Sequence, residues 1–150
     1  MAAFTTVQMD ALNSGQVAAL STGALLALSA GQVGAVSFVG TLGFSTTQIE
    51  ALSTVQIGAP TTIQLLALGT AEITALSTAQ VGALTSGQVA GLTSTQVAAL
   101  TTDQVAALGV NAAGLGPALI PGLSTGDIGV PTIAAFSALV STSLQALDGA

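Results

Sequence analysis

Apolar and polar residues recur along this chain with a period of eight. Thirteen consecutive octads run from Phe4 to Ala107, and Gln falls on multiples of eight from Gln8 to Gln104. Position 1 is apolar, position 2 is nearly always Ser, Thr or Asn, position 5 is usually Gln, position 6 is apolar apart from one Thr, and position 8 is Ala or Gly. This periodicity predicts a repeat protein built from small, similar units.

Each octad carries the residues that start a helix. Eight residues advance an α-helix by about 800°, so in one continuous helix equivalent side chains would drift by about 80° per octad. The helix must therefore end within each octad. Ser or Thr followed three residues later by Gln is a capping box, and the apolar residues at positions 1 and 6 form a hydrophobic staple around it. In the four most regular octads the predicted helix-capping residues are Ser77, Gln80, Thr85, Gln88, Thr93, Gln96, Thr101 and Gln104.

The pattern predicts an all-α solenoid of very short capped helices, one per octad, because such helices are stable only when neighbouring units pack on them. Positions 1 and 6 should form the core, and positions 4 and 7 should face outward. Large apolar residues at these outward positions occur in alternate octads of the N-terminal half, which indicates about two octads, or roughly 16 residues, per coil. The alternative is a β-solenoid, since an even period also keeps each position on one side of a strand.

The outward apolar residues would give one side of the solenoid an apolar surface. Such surfaces mark interaction sites, although chance among so few positions is the other interpretation. The candidate self-association residues are Val7, Leu26, Val39, Leu42, Val55, Ile63 and Leu66.

The octad register weakens after Leu108, where Gly and Pro are frequent. We therefore predict a repeat solenoid over residues 4–108 and a degenerate C-terminal cap or docking segment over residues 109–150. The repeat returns faintly at Leu123 to Ile128, where Asp127 takes the place of Gln, and residues 133–147 are predicted to form the longest helix.

The composition argues against most chemistry. The chain has no Lys, Arg, His, Cys, Trp or Tyr. A Ser or Thr nucleophile would therefore lack a positioned His or Lys base. The acidic residues are scattered and are best explained as solubilising charge: Asp10, Glu50, Glu72, Asp103, Asp127 and Asp148. We predict no enzymatic activity, no cofactor, no metal site and no small-molecule substrate.

The same composition limits the partners and the location of the chain. A net charge of −6 without any cation removes the phosphate neutralisation that drives nucleic-acid binding. No segment reaches the roughly 18 to 20 continuous apolar residues of a membrane span. We therefore predict no nucleic-acid partner and no membrane insertion. The N-terminal segment also lacks the basic and apolar regions of a classical signal peptide, so an extracellular or cell-surface location would require another export route.

The stretch Leu76 to Leu108 resembles the Leu-Thr-Thr-x-Gln-Val-x-Ala octapeptide repeats of large bacterial secreted or surface-associated proteins. The resemblance implies a helical repeat and an extracellular, bacterial setting. The same Leu-Thr-x-x-Gln-Val start is similar to the opening helix of TAL-effector DNA-binding repeats. Here, however, the period is eight and no cation is available for phosphate, so a DNA-binding role does not carry over.

These observations together lead to a structural function. We expect a self-assembling homopolymer, the subunit of an extracellular filament or matrix fibre, which polymerises head-to-tail through uncapped N-terminal repeats and the C-terminal segment. One alternative is an ice-binding or surface-adsorbing solenoid, favoured by the regular hydroxyls at position 3. The other is a monomeric, adhesin-like spacer.

Overall fold

The computed structural model describes residues 4–116 and 118–129. This part of the chain contains short α-helices and two 3-10 helices, and no strand. The all-α prediction is therefore confirmed, and the β-solenoid alternative is wrong. The helix predicted for residues 133–147 lies outside the described residues. The α-helices are α1 Thr6–Asp10, α2 Ser14–Ala18, α3 Thr22–Leu26, α4 Ala30–Gly34, α5 Phe38–Thr41, α6 Thr46–Ala51, α7 Thr54–Ile57, α8 Thr62–Leu66, α9 Thr70–Ala75, α10 Thr78–Gly82, α11 Ser86–Ala90, α12 Ser94–Ala99, α13 Thr102–Ala107 and α14 Thr125–Gly129; the 3-10 helices are η1 Gly109–Gly114 and η2 Ile120–Gly122.

Each of the helices α1 to α13 begins after a residue with an extended backbone. The ψ angle of this residue ranges from 154° at Ser21 to 169° at Asn13. Its side chain usually accepts a hydrogen bond from the third helical amide, which fixes the helix start. Gly109, directly after α13, is the single positive-φ residue in the described chain, with a φ of 52° that favours glycine and ends this helix.

Consecutive coils of the solenoid contain three octads each. Each helix packs on the helix three places later, so that α1 contacts α4, α2 contacts α5 and α3 contacts α6. The prediction of two octads per coil is wrong. The helices form three stacks, which we call face A (α1, α4, α7, α10, α13, α14), face B (α2, α5, α8, α11, η1) and face C (α3, α6, α9, α12, η2).

Glycines at position 7 show how the coils approach on face A. A Cβ atom added to Gly34, Gly58 or Gly82 would lie 2.9, 3.4 or 3.1 Å from a carbonyl oxygen of the next coil. These oxygens belong to Ala59, Ala83 and Ala107. The close approach recurs every three octads, which is the length of one coil.

The core is a column of side chains from positions 6 and 1. Position 6 is buried in every octad, from Met9 to Val105, and Thr41 is its one polar member. Position 1 is buried from Val36 onward, with Pro60 half-buried. The residues assigned to the core from the repeat pattern are therefore the residues that the fold buries.

The chain after Leu108 continues the same order of faces. The helices η1, η2 and α14 pack on α11, α12 and α13, which are the next positions on faces B, C and A. Glycine again permits the approach, because a Cβ at Gly122 would lie 2.5 Å from the Ser94 carbonyl oxygen. The division of the chain at Leu108 stays a prediction, and so does the role of the segment as a cap.

Candidate interaction surfaces

The residues predicted to cap helices make reciprocal hydrogen bonds. The amide N–H of Gln80 donates to the Ser77 hydroxyl at 3.2 Å, and the Ser77 amide N–H donates to Gln80 Oε1 at 2.7 Å. The same pair of bonds joins Thr85 to Gln88, Thr93 to Gln96 and Thr101 to Gln104. Two amide donors at each helix start are satisfied in this way.

The glutamines have a second function, which links neighbouring coils. Gln80 Nε2 donates to the carbonyl oxygens of Ile49 and Leu52 in the preceding coil, at 2.8 and 2.7 Å. These carbonyls lie at the end of a helix of that coil, where the Ile49 oxygen also accepts the Leu52 amide and the Leu52 oxygen receives no backbone hydrogen bond in the described chain. We call the residues that repeat this arrangement and are buried the inter-coil glutamines: Gln48, Gln56, Gln64, Gln80, Gln88, Gln96 and Gln104.

The inter-coil link was not predicted from the sequence, although a signal was present. A capping box accepts Glu as well as Gln, yet position 5 holds ten Gln and only one Glu, Glu72. A carboxylate offers acceptors alone, whereas an amide carries an acceptor and two donors. The preference for Gln therefore indicated that the far end of the side chain must donate.

The first coil and α5 lack the inter-coil link. Gln8 and Gln16 are exposed, and their Nε2 atoms donate to no residue in the described part of the chain. Leu12, Leu20 and Leu28, at position 1 of the next three octads, are only half-buried. At Gly40, by contrast, a Cβ would lie 2.8 Å from the Leu12 carbonyl oxygen, so α5 approaches too closely for a glutamine.

Four of the predicted self-association residues form one apolar cluster. Val39 on α5 and Leu42, the C-cap residue of α5, are 57% and 55% exposed, and Ile63 and Leu66 on α8 are 62% and 43% exposed. Because α5 and α8 are stacked neighbours on face B, these side chains lie together. Phe38, 44% exposed on α5, is a fifth member that was not predicted. Its signal was a Phe at position 3, where the other octads have mostly hydroxyls. We call these five residues the face B patch.

The remaining three predicted self-association residues lie on other faces. Val7 and Val55 are exposed on α1 and α7 of face A, and Val7 lines an open groove that Phe38 and Ile63 of the patch also line. Leu26 is exposed on face C. The structure therefore separates residues that a two-octad coil would have placed on one side.

The acidic residues avoid face B. Asp10 and Asp103 lie on α1 and α13 of face A, and Glu50 and Glu72 lie on α6 and α9 of face C. No residue described on face B carries a charge. Because the chain has no cation, every charged surface of one copy repels every charged surface of another.

Asp127 is the buried exception among the acidic residues. Its Oδ2 accepts hydrogen bonds from the Ser124 amide and hydroxyl, each at 2.7 Å, while the buried Oδ1 has no partner in the described chain. Burial raises the pKa of Asp127, but hydrogen bonds from Ser124 and from the Thr102 hydroxyl outweigh burial and bring the pKa below its usual value. Asp127 thus caps α14 as the glutamines cap the earlier helices.

Position 3 places hydroxyls in register on the outer faces. Thr54, Thr78 and Thr102 belong to α7, α10 and α13, which are successive coils of face A. Thr54 and Thr78 are exposed and Thr102 is half-buried. The three-octad coil therefore aligns hydroxyls that lie three octads apart in the sequence.

The described residues contain neither a candidate metal centre nor a candidate membrane span. They contain no group of three or more acidic, His or Cys side chains that could hold a metal ion. None of their helices is long and apolar enough to cross a membrane.

The comparisons with known proteins indicate a repeat protein. The family model of the ALTTAQ repeat matches residues 61–94 and 88–110, a stretch that includes α8 to α13. In this chain, Ala75 to Gln80 has the closely similar letters Ala-Leu-Ser-Thr-Ala-Gln. No curated protein and no solved structure matches the chain.

Proposed function

We propose that this chain is a non-catalytic structural protein that self-assembles head-to-tail into an extracellular filament or matrix fibre. The lack of His, Lys and Cys supports a role without catalysis. The lack of Lys and Arg removes trypsin-type cleavage sites, which suits exposure outside a cell. The resemblance to octapeptide repeats of bacterial secreted proteins favours a bacterial surface or matrix.

The observation that carries the proposal is the interface between coils. It repeats with the same chemistry at most steps, namely apolar side chains from position 1 and glutamine amides that donate to carbonyl oxygens, with α5 and α9 as the exceptions. Nothing in such an interface limits the number of coils, which is the property of an open, head-to-tail contact. A coil contributed by a second copy would bury more of Leu12, Leu20 and Leu28 and accept hydrogen bonds from Gln8 and Gln16.

The experiment compares assembly of the wild type with that of the double variant Gln8→Glu/Gln16→Glu. Both glutamines are exposed, and Glu keeps the capping acceptor, so the helices should form normally. The variant loses the donors for the second copy. We expect the concentration at which filaments appear in electron micrographs to rise at least tenfold, while the circular dichroism of the monomer is unchanged.

The matched control is Ala71→Glu/Ala79→Glu, which adds the same two charges at exposed positions of α9 and α10. This control should assemble more readily than the Gln8→Glu/Gln16→Glu variant. If the two variants assemble equally, the first coil has no special role in assembly. If the wild type stays dispersed at every concentration, the filament function is wrong and the spacer alternative is favoured.

A second candidate function is adsorption to ice or another ordered surface. The observation in its favour is the alignment of Thr54, Thr78 and Thr102 along face A. Thermal hysteresis of the purified protein tests this function. If thermal hysteresis is lost in Thr54→Val/Thr78→Val and retained in a Thr→Val variant on another face, adsorption to ice is favoured over the filament function.

A further inference from the structure

We infer that the face B patch pairs two copies of this chain about a two-fold axis, with α5 of one copy opposite α8 of its partner. The inference rests on the proposed self-association, but it concerns a lateral contact and does not depend on head-to-tail stacking. It also differs from the sequence-based hypothesis, because Val7, Val55 and Leu26 take no part in the contact.

The first argument is the size of the patch. Its five side chains are between 43% and 62% exposed. Given ordinary side-chain areas, these fractions amount to roughly 400 to 500 Å² of apolar surface, which is in the range of functional patches on monomers. A stable protein contact needs about 800 Å² per partner. The patch alone supplies about half of that area, and the flanking residues of α2 and α11 would supply the rest of the contact.

The second argument is charge. Faces A and C carry the exposed carboxylates, and the chain offers no cation to pair with them. Pairing through either of those faces would bring like charges together, whereas the described part of face B is uncharged. Asp10, which lines the same groove as Phe38 and Ile63, is the carboxylate nearest to this face, so a second copy approaches here with a smaller Coulomb penalty than on faces A and C. A charged partner would find no complementary group there.

The third argument is the order of residues along face B. At positions 4 and 7, successive helices carry small residues on α2, large apolar residues on α5 and α8, and small residues on α11. The pairs are Gly15 and Ala18, Val39 and Leu42, Ile63 and Leu66, and Gly87 and Ala90. Over these four helices the order is the same in both directions, which suits a surface that contacts itself about a two-fold axis, and η1 at the end of face B carries the exposed Val110. The axis passes between α5 and α8, so the apolar centre is surrounded by a rim of small residues.

The test measures pairing in the Gln8→Glu/Gln16→Glu background, where head-to-tail stacking is weakened. Sedimentation equilibrium gives the dissociation constant of the pair for two proteins: the background variant itself, and the background variant that also carries Leu42→Gln and Leu66→Gln. The matched control is Leu26→Gln/Val55→Gln, because Leu26 and Val55 are also exposed, at 57% and 71%, but on other faces. We expect the first pair of substitutions to raise the dissociation constant about 100-fold, since each residue occurs twice in the contact, and the control to change it less than threefold.

The two-fold arrangement has its own test, because the chain contains no cysteine. Leu42→Cys and Leu66→Cys variants are mixed under mild oxidation. Pairing of α5 with α8 predicts mainly the mixed disulfide between the two variants, whereas a parallel arrangement predicts disulfides within each variant.

Several outcomes would overturn the inference. A background protein that stays monomeric at the highest soluble concentration shows that the patch serves another partner. Equal weakening by the test and control substitutions shows that any apolar side chain contributes to association. Failure of the filament proposal can be distinguished from failure of the pairing proposal. In the first case the wild type forms pairs but no long assemblies.

Discussion

Replacing Gln80 by Glu tests how much the inter-coil glutamines stabilise the stack. Gln80 is 3% exposed, its Oε1 accepts the Ser77 amide at 2.7 Å, and its Nε2 donates to the Ile49 and Leu52 carbonyl oxygens. Glu keeps the volume and the capping acceptor. It nevertheless presents a carboxylate oxygen to two carbonyl oxygens that previously received hydrogen bonds.

The expected loss follows from these contacts. Two hydrogen bonds contribute about 0.5 to 1.5 kcal/mol each, and a buried carboxylate without a donor adds a further penalty, so the free energy of unfolding should fall by about 3 to 5 kcal/mol at pH 7. Burial and the facing carbonyls would raise the pKa of the new carboxyl. A raised pKa means that stability is lost as the pH rises through it, so the variant should be closer to the wild type at pH 4 than at pH 7.

The assay is guanidinium denaturation followed by circular dichroism at pH 7 and pH 4, with hydrogen exchange to locate the loss at the end of α6 and at α10. The control is Gln16→Glu, which makes the same chemical change where the glutamine is exposed and its Nε2 donates to no described residue. It should cost less than about 0.5 kcal/mol. Equal losses in Gln80→Glu and Gln16→Glu would refute the reasoning, because capping would then be the whole role of these glutamines.

Three further predictions concern the packing of the coils and its charges. Gly43→Ala should destabilise the protein by about 2 kcal/mol or more, because the new Cβ would lie 2.7 Å from the Ser14 Cα. Gly31→Ala should instead stabilise the protein by up to about 1 kcal/mol, because a Cβ there meets nothing within 4 Å. Equal denaturation midpoints of the two variants would contradict this prediction. Glu72→Gln should stabilise the stack by about 1 kcal/mol in the same assay, because it restores a donor toward the preceding coil; a lower midpoint would show that α9 does not follow the common geometry. Asp127 has a lowered pKa, so its contribution to stability is present above its ordinary pKa and is lost as the pH falls through the lowered value. Unfolding midpoints between pH 6 and pH 2 should therefore fall more steeply for the wild type than for Asp127→Asn, and parallel curves would argue against the shift.

The local structure could be predicted from the sequence because its determinants lie within one octad. The cap at position 2, the glutamine at position 5 and the staple at positions 1 and 6 are all close together in the chain. The positions of the helix starts and the identity of the core therefore followed from the letters. The role of Gly40 could not be predicted in this way, because a glycine is needed there by the close approach of the Leu12 carbonyl in the preceding coil.

The number of octads per coil could not be predicted because it depends on the angle between successive helices, which side-chain packing sets. The alternation of Val7, Leu26 and Val39 with small residues suggested two octads, but these side chains are largely exposed, so their order does not fix the length of a coil. A better signal was the series Gly34, Gly58 and Gly82, whose spacing of three octads equals one coil. Residues in the contact between repeats, rather than residues on the outer surface, report the coil length.

The three-octad coil also explains how a uniform repeat can carry a specific surface. Positions 1, 2, 5, 6 and 8 maintain the caps, the core and the links between coils, whereas positions 4 and 7 are mostly free to vary. A change made at position 4 in every third octad alters one face and leaves the other two unchanged. At position 4, face B carries Val39 and Ile63 on neighbouring coils, whereas on face A the exposed Val7 and Val55 are separated by Gly31. The uncharged, apolar character of face B is therefore independent of the requirements of folding, which is why we assign it to contact with another copy.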